Sequence, residues 1–144
     1  MMNKNELKTE VLLVSKYCSL ILQILNVHKQ LSVNKMIFFA YLLKNRNNYY
    51  KSLYNANTAN DIVIKAISQI SGDYDEYCKN IKYVVEAIHI LIKNNDIILH
   101  NSILMCINEC KSNDVYDDKF IKKAIEESNN FSDRQFLKEV LNNV

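Results

Sequence analysis

The stretch Asn94–Cys110, NNDIILHNSILMCINEC, decides how the chain is read. Two apolar runs, IIL and ILMC, flank a His-Asn-Ser centre. As strands, the runs make a hairpin. As a helix from Asn101 to Cys110, they extend an all-helical domain. With His100, Cys106 and Cys110 as ligands, they begin a metal site. The β-branched Ile97, Ile98 and Ile103 favour strands, so we read Ile97–Leu99 and Ile103–Cys106 as two short strands joined at His100-Asn101-Ser102. A lone hairpin is marginal in water, so this one has to pack on helices or pair with a third strand. The helical alternative stays open.

The metal reading is the weakest of the three. Spacings of six and four from His100 to Cys106 and Cys110 lack the paired short spacing of structural zinc sites. A fourth ligand would have to come from Cys78 or His89. No metal is expected. Cys18, Cys78 and Cys106 read as small buried hydrophobes, and four cysteines without a dense framework fit reduced thiols in a cytoplasm.

Upstream, residues about 75–94 give the clearest helix. Ile81, Val84, Val85, Ile88, Leu91 and Ile92 follow one seam, with Lys79, Lys82, Glu86 and Lys93 off it. His89 lies at the boundary of that seam, and Asn94-Asn95 ends the helix. Before it, Asp61 starts or caps a helix with Ile64, Ile67 and Ile70 inward. The single glycine, Gly72, is expected to stop that helix in a left-handed conformation. Asn45–Asn60 is polar and aromatic, with Tyr49, Tyr50 and Tyr54 at helical spacing.

Ser32 is the expected N-cap of a helix from Val33 to Lys44. Its centre, MIFFAYLL, is apolar nearly all round. Such a helix is either central in the core or covered by another chain. Phe38, Phe39, Tyr41, Tyr49, Tyr50 and Tyr54 are therefore the candidate partner-interface residues, with ordinary core packing as the equal alternative. The first helix covers about 5–28, with Leu7, Val11, Val14, Cys18, Ile21, Leu22 and Leu25 on one face. Ser15 could cap a second helix within it, and His28 at its end suits the helix dipole. Near the C-terminus, Asp117 or Asp118 caps a helix carrying Phe120, Ile121, Ala124 and Ile125. Ser132 with Gln135 is a capping box, with Phe131 and Phe136 at the staple positions. The last helix is expected to bury Leu137, Val140 and Leu141.

The fold class that follows is mainly α. We expect one compact domain spanning 1–144, of about six helices with a short β-hairpin, winged-helix-like. One Gly and no Pro in 144 residues support short connections and few breaks. The same scarcity excludes a P-loop, a GxGxxG fingerprint and a GxSxG elbow. No catalytic residue and no cofactor are expected. The paired acids Asp117-Asp118 and Glu126-Glu127 read as a cap and a solvated face. The N-terminus is polar and shows no secretory signal, and no apolar run reaches the length of a membrane span. A net charge of +2 with scattered lysines does not announce nucleic-acid binding. Lys79, Asn80, Lys82 and Lys93 could face DNA from the helix before the hairpin, but the tip His100-Asn101-Ser102 brings no cation to the phosphates.

Four segments carry a family resemblance: KYCSLILQIL at 16–25, LSVNKMIFFAYLL at 31–43, YVVEAIHILIKNNDIILHNSILMCI at 83–107 and KAIEESNNFSDRQFLKEVLNNV at 123–144. Together they resemble the small middle component of bacterial three-component ABC-ATPase defence systems, including Lamassu-type anti-phage systems. The resemblance implies a cytoplasmic, non-catalytic adaptor. Its partners would be an SMC-like ABC ATPase and an effector subunit, often a nuclease, held inactive until foreign DNA is sensed. Direct DNA contact would not dominate, and neither a membrane nor a small-molecule substrate is implied. The rivals are a viral Bcl-2-like helical protein that binds a host helix and a winged-helix DNA-binding regulator.

Overall fold

The computed structural model describes residues 3–46, 59–107 and 115–143. The first helix, α1, runs unbroken over Lys4–His28, so Ser15 caps nothing. Asn3 and Glu6 close a reciprocal capping box at its start. Lys29 ends it at φ 71°, its N–H bonded to the Leu25 carbonyl. Val14, Tyr17, Leu20, Ile21, Ile24 and Leu25 are buried. The expected apolar face fails only at its beginning, where Leu7 and Val11 lie exposed. Among the described residues, α1 is the one helix long and apolar enough to cross a membrane by length and composition. Length and composition do not distinguish a membrane span from a core helix, and Val14, Tyr17, Leu20, Ile21, Ile24 and Leu25 of this helix are buried in the protein.

A third strand, β1 (Gln30–Ser32), follows at once. Sequence alone missed it because three residues between two helices carry no periodic signal. Ser32 then caps α2 (Val33–Lys44), its side chain accepting from the Lys35 N–H. Met36 to Leu42 are all buried, which makes α2 the central helix. Helix α3 covers Ala59–Ser68. It buries Ile62, Val63, Ala66 and Ile67, with Ile70 just beyond its end. Gly72 has no positive φ, so the expected left-handed glycine stop is absent.

Helix α4 spans Tyr74–Lys93. It closes in a Schellman arrangement: Asn95 sits at φ 61°, its N–H bonds the Ile92 carbonyl, and the Asp96 N–H reaches the Leu91 carbonyl. The chain then enters β2 (Ile97–His100), turns at Asn101-Ser102 and returns as β3 (Ile103–Cys106). Both turn residues have positive φ, 51° and 66°, as a two-residue primed turn demands. The helical alternative for this stretch is thereby excluded as far as Cys106. The sheet is antiparallel in the order β1-β3-β2, with Leu31 opposite Leu104 and Leu104 opposite Leu99. The hairpin is thus rescued by both routes open to it, a third strand and helical support.

Helices α5 (Lys119–Ser128) and α6 (Asp133–Asn143) complete the element order. Asp118 caps α5 through the Ile121 N–H, and Ser132 with Gln135 forms the expected capping box before α6. Phe136 and Val140 are buried, but Leu137 and Leu141 face out, contrary to expectation.

Candidate interaction surface

Phe38 and Phe39 are fully buried and Tyr41 is 3% exposed. Phe38 packs edge-on against Phe39, Tyr77 and Phe136 at 5.1, 6.0 and 5.4 Å between ring centroids. Tyr41 meets Tyr77 at 5.3 Å, and its hydroxyl donates to Asp73 Oδ2. These rings hold α2, α4 and α6 together, each burial contributing roughly 2–3 kcal/mol. Of the two readings, core packing describes these three side chains, which present no surface in this fold. Tyr49, Tyr50 and Tyr54 lie outside the described residues.

Three buried polar groups also serve the fold. Arg46, 6% exposed, pairs with Asp118 at 2.8 Å, donates to Gln69 Oε1 and stacks over Phe120. It clasps the end of α2 to α3 and α5. Lys35 donates to the Ser128 and Phe131 carbonyls, capping the C-terminal end of α5. Burial lowers the Lys35 pKa, and Asp133 opposes that shift. Asn80, weighed as a DNA contact, is instead an interior partner of Tyr17.

The cysteines depart from expectation. Cys18 and Cys78 are free, but Cys78 is exposed, and Cys106 is disulfide-bonded. Cys18 is half-buried with its thiol directed at the Ala87 carbonyl, and burial raises its pKa, with Asp96 adding to the effect. Among the described residues, no group of three His, Cys, Asp or Glu side chains is placed to hold a metal ion. His28 is hydrogen-bonded to the Tyr116 hydroxyl and stacked on its ring, while His89 and His100 are exposed.

Among the described residues, the fold leaves large apolar side chains exposed on the hairpin, on α4, on α1 and on α6, and at Ile107 and Val115. On the hairpin, Ile98 is 41% and Leu99 49% exposed, on β2, one of the two edge strands of the sheet. The tip His100-Asn101-Ser102 is exposed and carries no Lys, Arg, Asp or Glu. The tip is nevertheless held, because the Ser102 carbonyl accepts the first free N–H of α2, from Val33. On α4, the exposed face mixes Lys79, Lys82, His89 and Lys93 with Glu86, Val85 and Ile90. Lys79 is engaged by Glu76 at 3.5 Å, and Lys82 lies over the Tyr83 ring. On α1, Leu7 is 54%, Val11 57% and Leu12 71% exposed. Leu7 and Val11 were visible in sequence as part of an apolar face. Their exposure was not, because periodicity identifies a face without saying how far its cover extends.

No family model, curated protein or solved structure matches the chain.

Proposed function

We propose that this chain is a non-catalytic, winged-helix-like adaptor. It joins an SMC-like ABC ATPase to a nuclease-type effector in a bacterial anti-phage complex. The sequence resemblance supplies the partners, and the geometry supports the kind of module. A helix, a short strand and further helices lead into a hairpin, and the sheet runs in the order β1-β3-β2. That order suits a winged-helix unit, in which α4 takes the place of the groove-reading helix.

The observation that carries the protein-contact reading is the hairpin. A wing that reads DNA brings cations to the phosphates. This one carries none at its tip and leaves Ile98 and Leu99 half exposed beside it. The α4 face is equally unlike a basic stripe, since Val85, Glu86 and Ile90 interrupt its lysines. The three-stranded sheet counts against a Bcl-2-like reading, whose fold is all helix.

The test is co-purification with an SMC-like ABC ATPase of a three-component defence system, followed by size-exclusion chromatography. A stable complex that is lost in the doubly substituted Ile98→Asp, Leu99→Asp chain is the expected result. A monomer that ignores the ATPase and binds duplex DNA with a steep salt dependence would overturn the adaptor reading in favour of a regulator.

A further inference from the structure

We draw no further inference here: the strongest candidate, the apolar patch of Ile98 and Leu99 on edge strand β2 of the hairpin, belongs to the surface already described, the fully buried Ile97 interrupts the edge that an added strand would pair with, and nothing in the structure shows what covers the patch.

Discussion

The Tyr17 hydroxyl donates to Asn80 Oδ1 at 2.8 Å inside the protein, joining α1 to α4 across 63 residues of sequence. The Asn80 amide in turn donates to the Glu76 carbonyl one turn back. A tyrosine and an asparagine that look separable in sequence are thus one buried unit. Tyr17→Phe keeps the ring but strands Asn80 Oδ1. It should cost about 1–3 kcal/mol in urea unfolding, the penalty of a buried acceptor left unmade. Burial, and secondarily Tyr41, raises the Tyr17 pKa above its ordinary value. Its contribution is therefore present below pH about 10 and lost as the pH rises beyond that. The alkaline loss of stability should be smaller in Tyr17→Phe; an unchanged loss would assign it to other groups.

Arg46 and Asp118 set a second prediction. Both side chains are largely shielded, at 8% and 16% exposure, so removing one leaves a poorly solvated charge. Asp118→Ala also removes the N-cap of α5. It should destabilise by roughly 3–5 kcal/mol. Asp118→Asn, which keeps a capping oxygen, should cost less. Equal losses in the two variants would show that the ion pair, rather than the cap, carries the effect.

His28 should make stability depend on pH. Burial lowers its pKa; Glu126 opposes the shift and Lys122 reinforces it. The unfolded chain therefore binds the proton more tightly than the folded one. The contribution is present above the ordinary value of about 6.5 and is lost as the pH falls through it. The urea midpoint should drop between about pH 7.5 and pH 5.5. The drop should shrink in His28→Phe, which keeps a ring to stack on Tyr116. An equal drop in that variant would place the titration elsewhere.

Ser102 holds φ at 66° without being a glycine. Ser102→Gly relieves that strain at the second position of the turn and should stabilise the fold by about 0.5–1 kcal/mol, read as a higher thermal midpoint. The Val33 N–H to Ser102 carbonyl bond involves backbone only and should survive. A destabilised Ser102→Gly chain would mean that the serine side chain holds the turn.

Sequence by itself determined the elements whose signals are local. The Ser32 cap, the Ser132–Gln135 box, the Asn94-Asn95 stop and the two runs of the hairpin are each a few residues whose backbone needs are met by their neighbours. The apolar face of α1 was equally legible, since a helical period repeats along the chain. Tertiary structure decided what lies opposite those faces. It brought Gln30–Ser32 to β3 as a third strand, and it folded Phe38, Phe39 and Tyr41 inward rather than out. It buried Asn80 and Arg46 against partners distant in sequence. It also stopped covering α1 beyond Val14, leaving Leu7 and Val11 exposed. Burial is a property of two surfaces, and a sequence pattern describes only one of them.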